Sequence, residues 1–72
     1  MKLFQAIELL RAHKSVRRAN WPDGVRLFLP DEAEGTGKPV AVLARCRLAR
    51  PTGLDLFLPT QVDVHADDWQ AA

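Results

Sequence analysis

The sequence predicts an α+β fold: one amino-terminal helix packed on an antiparallel sheet of about four or five short strands, with a helical turn before the last strand. Three observations lead there. Leu3, Phe4, Ala6, Ile7, Leu9 and Leu10 recur at the three-and-four spacing of an amphipathic helix. Later segments alternate apolar and polar residues with the period of two that belongs to strands. Turn formers, Pro22-Asp23-Gly24 and Pro51-Thr52-Gly53 among them, separate those segments at short intervals.

The elements follow in order. Lys2, Gln5, Glu8 and Arg11 fill the polar side of the first helix, and Glu8 with Arg11 forms an i,i+3 pair. The helix should end near Ala12–Lys14, where basic side chains suit the carboxyl end of the helix dipole. Trp21-Pro22-Asp23-Gly24 fits a type I turn joining a strand near Ser15–Ala19 to one at Val25–Leu29. The segment from Pro30 to Pro39 reads as a loop. Val40, Val42, Ala44, Cys46 and Leu48 alternate with Ala41, Leu43, Arg45 and Arg47 and predict a strand with one fully apolar face, on which Cys46 sits as a small buried group. Arg50-Pro51-Thr52-Gly53 turns the chain into Leu54–Leu58, whose leucines share one face and whose Asp55 and Phe57 share the other. Thr60-x-x-Asp63 has the form of a capping box, so a helical turn starts at Thr60, and a short edge strand follows around Trp69. If the valine and leucine rows meet the helix, Phe28, Phe57, Arg26, Arg45 and Arg47 decorate the opposite face, together with Arg17 and Trp21. Two phenylalanines on that face ask for a cover, either a partner subunit or a ligand.

Size and composition narrow the function classes. A chain of 72 residues is a single domain of the size that is only marginally stabilised by one core. Cys46 is the only cysteine, so no internal disulfide forms, and with His13 and His65 it does not make a zinc ligand set. Small chains without such staples commonly associate, so a homodimer or larger assembly is expected. No apolar run is long enough to span a membrane and the opening residues lack a signal peptide's layout, so a cytoplasmic location is expected. The net charge is +1, with the excess of Lys and Arg lying before residue 27 and the segment after Pro51 carrying only acidic charges: Asp55, Asp63, Asp67 and Asp68. That distribution disfavours a dedicated nucleic-acid binder, which concentrates basic charge on one face.

No nucleophile–base arrangement and no phosphate-cradling glycine loop stands out, so a binding protein is expected rather than an enzyme, with no cofactor and no metal. Arg17 and Arg18 have two readings: guanidinium forks for a phosphate or carboxylate, or ion pairs to Asp63, Asp67 or Asp68. Trp21, beside its turn, suits a stacking site, although an indole in so small a domain also serves a core.

Val16-x-Arg18-x-x-Trp21, the Leu27-Phe28-Leu29 strand, the opening helix with Ala6 and Ile7, and above all Gln61-x-Asp63-x-x-Ala66-x-Asp68-Trp69 resemble a small phage and prophage family. It is the family that includes the second type of Thoeris anti-defence protein. The resemblance runs over nearly the whole chain. It implies a sponge that binds a cyclic ADP-ribose-type immune signal and holds it uncleaved in the infected or lysogenic bacterial cell. It also implies dimers and tetramers with pockets between subunits. Carried onto this sequence, Trp21 would stack on the base, and Gln61, Asp63 and Asp68 would take ribose hydroxyls or base amines. Phe28 and Phe57 would wall the pocket, and Arg17 or Arg18 would answer the pyrophosphate. Asn20 stands where the family commonly has glycine, and Phe57 where it commonly has tryptophan. A cyclic dinucleotide is the alternative ligand, and a protein-interaction module docking through Phe28 and Phe57 is the alternative function.

Overall fold

The computed structural model describes residues 1–31 and 37–72. The order of elements is α1 (Leu3–Arg11), β1 (Val16–Arg18), β2 (Arg26–Phe28), α2 (Pro39–Arg45), β3 (Arg47–Arg50), β4 (Gly53–Leu56), α3 (Gln61–His65) and β5 (Trp69–Ala71). The five strands form one antiparallel sheet in the order β4-β3-β2-β1-β5. The α+β prediction therefore holds, including the amino-terminal helix and the helical turn before the last strand.

Helix α1 buries Leu3, Ala6, Ile7 and Leu10, the stripe its periodicity marks out. It begins where Gln5 Oε1 accepts the Lys2 amide at 2.9 Å, satisfying one of the donors left over at a helix start. It ends in a Schellman motif: the Lys14 amide donates to Leu9 O at 3.0 Å and the His13 amide to Leu10 O at 2.9 Å. His13 occupies the left-handed position of that motif, φ 58°, which glycine usually takes. Its Nδ1 lies 3.2 Å from Leu29 O, which ties the helix end to the close of β2.

The expected strand over Val40–Leu48 is a helix for most of its length. Pro39 takes a first-turn position of α2, where its missing N–H costs nothing. Val42, Leu43 and Cys46 are the buried residues, at i, i+1 and i+4, while Ala41, Ala44 and Arg45 are exposed. That spacing satisfies a helix as well as the strand alternation does, and a short apolar run cannot decide between them. The strand begins only at Arg47. Of the expected loop from Pro30 to Pro39, residues 32–36 lie outside the described residues, and its last residue belongs to α2. Cys46 is buried, and burial pushes its thiol up to about 11, so near neutrality it is a small apolar group.

Residues paired across an antiparallel ladder share a face. Val16 pairs with Leu27, and Leu27 with Leu48, and this row meets the helices. Trp69, from β5, is also buried there, and α1 packs on β1, β5, α2 and α3. The opposite face carries Arg26, Phe28 and Arg47, as expected, with the Arg26 guanidinium 4.9 Å over the Phe28 ring.

Arg45, expected on that face, lies on α2, and Trp21, expected there too, packs against the core. Two assignments in and just after β4 are corrected as well. Leu54 and Leu56 pair with Ala49 and Arg47, so they lie on the open face and are exposed rather than turned to the helix. Phe57, expected beside Phe28, is buried in the core. A one-residue offset exchanges every side chain between faces, so both corrections have one origin. The leucine row of β4 does not continue the leucine row of β3, and Phe57 enters the core just past the strand's end.

The bond that closes the turn between β1 and β2 runs from the Val25 amide to Pro22 O at 3.2 Å, one residue later than expected. Gly24 then sits at the third position with φ 84°, which is available to it at little cost.

Candidate functional site

Three aromatic rings at one end of the core organise the site. Trp21 and Trp69 meet edge to face with centroids 5.5 Å apart, Trp21 and Phe57 at 6.0 Å, and Phe57 and Trp69 at 6.1 Å. Such T-shaped contacts set positive ring edges against negative faces. Trp69 is the buried member, and its indole N–H donates to Asp63 O at 3.0 Å, which fixes α3 over the ring. Trp21 is half-buried, packs against the core on one side and lines a surface cleft.

That cleft has a volume of about 360 Å³, within the range of small-molecule sites. Trp21, Pro22 and Phe57 contribute to its wall, Leu56 and Leu58 to its rim, and Arg50 and Asp63 are its charged members. Of the residues singled out from sequence, Trp21, Phe57 and Asp63 thus meet in one place.

Asp63 is held from several sides. The capping box is present as its spacing predicted: Thr60 Oγ1 accepts the Asp63 amide at 3.3 Å, and Asp63 Oδ2 accepts the Thr60 amide at 2.9 Å and the Thr60 hydroxyl at 3.1 Å. The other oxygen, Oδ1, accepts from Arg18 Nη1 at 2.8 Å. Arg18 also grips Asp68 with two bonds, Nε to Oδ1 at 2.7 Å and Nη2 to Oδ2 at 3.3 Å. Burial works against ionisation of Asp63, but the bonds from Thr60 and Arg18 outweigh it and hold the carboxyl below its ordinary value. Asp68 is lowered chiefly by the Arg18 bonds, and Arg18 is raised by Asp68 and then Asp63. This network ties β1 to α3 and to the approach to β5 across 45 and 50 residues of sequence.

Arg17 is engaged as well. Its Nε donates to Arg18 O at 3.2 Å, its Nη2 donates to Trp21 O, and its Nη1 lies 3.6 Å from Asp23. Arg17 therefore orders the chain leading to Trp21. The ion-pair reading of Arg18 and the backbone role of Arg17 are what the structure displays, and neither residue lines the cleft.

The remaining two residues lie elsewhere within one chain. Phe28 lines a second cleft of about 460 Å³ on the open sheet face, with Arg26, Arg47 and His13. Gln61 is exposed at the first residue of α3 and does not line the Trp21 cleft. Arg50 was not anticipated. Its signal in sequence is its place before the Pro51-Thr52 turn with Asp55 just beyond, which brings the two side chains together at 2.9 Å.

Among the described residues no group of three or more His, Cys, Asp or Glu side chains is placed to hold a metal ion, and no helix is long and apolar enough to cross a membrane. No curated protein matches the sequence. A family description does match, over residues 1–72: the Thoeris anti-defense 2-like domain, Tad2-like. With the match spanning every element described above, the chain belongs to this anti-defence family.

Proposed function

We propose that the protein is a sponge that binds a cyclic ADP-ribose-type immune signal and holds it without cleaving it. The observation that carries this reading is the cleft that joins Trp21, Phe57 and Asp63 in a chain of the Thoeris anti-defense 2-like family. Trp21 offers a half-buried indole for base stacking, and its edge contacts with Phe57 and Trp69 hold it in place before any ligand arrives. Preorganisation of that kind reduces the ordering cost of binding. To compete with an effector, the sponge needs a Kd of about 1 nM to 1 μM, or roughly 8–12 kcal/mol.

The state of the acidic groups supports retention over turnover in this reading. Asp63 has both oxygens engaged, Oδ1 by Arg18 and Oδ2 by Thr60, so its carboxylate is committed to the fold and not free to work on a ligand bond. Asp68 is held the same way by Arg18.

Association into homodimers or homotetramers in the host cytoplasm belongs to the same proposal. Leu56 on the edge strand β4 and Leu58 beyond it are exposed apolar residues at the cleft, and their cover by a second copy would deepen it. It would also offer a route for Phe28 or Gln61 of one copy to reach a ligand held by another. Light scattering at micromolar concentration should give a dimer or tetramer, and a monomer would remove this part of the proposal.

The direct test is a thermal-shift panel of cyclic ADP-ribose isomers and cyclic dinucleotides, followed by mass analysis of the recovered ligand. The expected result is a shift with a cyclic ADP-ribose isomer, recovered unchanged. A shift with cyclic dinucleotides alone would reassign the ligand, altered ligand would indicate an enzyme, and no shift with any member would refute the sponge.

A further inference from the structure

We propose that Arg50 is the residue that reads the negative charge of the ligand in the Trp21 cleft, with Asp55 as an internal stand-in for the anion; this rests on the function proposed above. The inference comes from following each cation near the cleft to its partners. Arg18 spends its guanidinium on Asp63 and Asp68 with a side chain only 12% exposed. Arg17 donates to the carbonyls of Arg18 and Trp21. Releasing either would dismantle the turn or the α3 anchor that shapes the cleft.

Arg50 differs on both counts. It lines the cleft, and its described ion pair is with Asp55, Nε to Oδ2 at 2.9 Å, with the side chains 49% and 58% exposed. An ion pair that open contributes little to stability, so an incoming anion can displace the carboxylate at little cost. The other charged member of the cleft, Asp63, already has its charge answered by Arg18. Arg50 is the last residue of β3 and pairs with Gly53 in the β3–β4 hairpin, so its backbone is fixed while its half-exposed side chain can turn. A guanidinium next to an indole and a phenyl wall suits a ligand with both a planar base and a phosphate or pyrophosphate group.

The experiment measures, by calorimetry, the affinity of wild type, Arg50→Gln, Arg50→Lys and Asp55→Asn for the cyclic ADP-ribose isomer that wild type binds in the panel. Arg50→Gln should weaken binding by about tenfold or more. Arg50→Lys, which keeps the charge but loses the fork, should fall between. Asp55→Asn should bind as well as wild type or up to about fivefold tighter, since the competing carboxylate is gone. Unchanged affinity in Arg50→Gln would overturn the assignment and leave the sponge standing. So would an Asp55→Asn variant weakened as much as Arg50→Gln, because the pair would then be structural. A wild-type protein that binds no isomer would bring down the sponge and this inference together.

Discussion

Replacing Arg18 by methionine, which keeps much of the aliphatic stem and removes the guanidinium, tests the network that holds the site together. Three charge-assisted bonds are lost, at 2.7, 2.8 and 3.3 Å. Breaking a buried ion pair by removing one partner costs about 3–5 kcal/mol, and an exposed pair about 0–1. This pair lies between those limits. The Asp63 side chain is 16% exposed and keeps its Thr60 bonds, while Asp68 is 34% exposed and can take up water. A loss of about 2–3 kcal/mol follows. For a domain whose whole stability is on the order of 4–11 kcal/mol, that is a large share, and it should lower Tm by on the order of 10–20 °C. The assay is urea unfolding followed by tryptophan fluorescence, with protein concentration held constant because association adds to apparent stability. A double-mutant cycle with Asp68→Asn should show coupling of about 1 kcal/mol or more. A loss under about 0.5 kcal/mol, the range of ordinary surface substitutions, would refute the structural role and return Arg18 to the ligand.

Two further outcomes are expected. His13→Gly should be more stable than His13→Ala by about 1 kcal/mol, since both lack the imidazole and only glycine meets φ 58° without strain; equal midpoints in thermal unfolding would contradict that backbone reading. Stability should also fall in acid. Asp63 and Asp68 have native pKa values below their unfolded ones, so their contribution is complete above the unfolded value of about 3.9 and is lost as pH drops through the native values. Midpoints measured across that range should decline in wild type and decline less in Arg18→Met; parallel curves would show that the Arg18 network is not the cause.

The parts of this molecule legible in its sequence are those fixed by neighbours in the chain. The stripe Leu3, Ala6, Ile7, Leu10 and the Thr60–Asp63 cap are each set by side chains within one or two turns, and both are present. Helix α2 is not legible because the same short run holds a strand series, Val40, Val42, Ala44 and Cys46, and a helical set, Val42, Leu43 and Cys46, and packing on α1 goes with the second. Phe57 was misplaced because a strand's faces depend on a register set by its partner, here Arg47↔Leu56, and nothing local records where the ladder stops. The site divides in the same way. Trp21 and Asp63 were visible as residue types beside a turn and a helix start. Whether Arg18 would face a ligand or Asp68 depended on a contact spanning 50 residues, and the hairpin that sets Arg50 at the cleft emerges only once β3 and β4 are paired.

The measurement that bears most directly on the sponge is calorimetric titration of the wild-type protein and of Trp21→Leu with a cyclic ADP-ribose isomer, each variant first shown to be folded by circular dichroism. Wild type should bind with a Kd of about 1 μM or tighter, and Trp21→Leu should lose about tenfold or more of that affinity as the stacking surface goes. Equal affinity in a folded Trp21→Leu would place the ligand away from this cleft, and a wild-type titration with no heat and no saturation would contradict signal capture altogether.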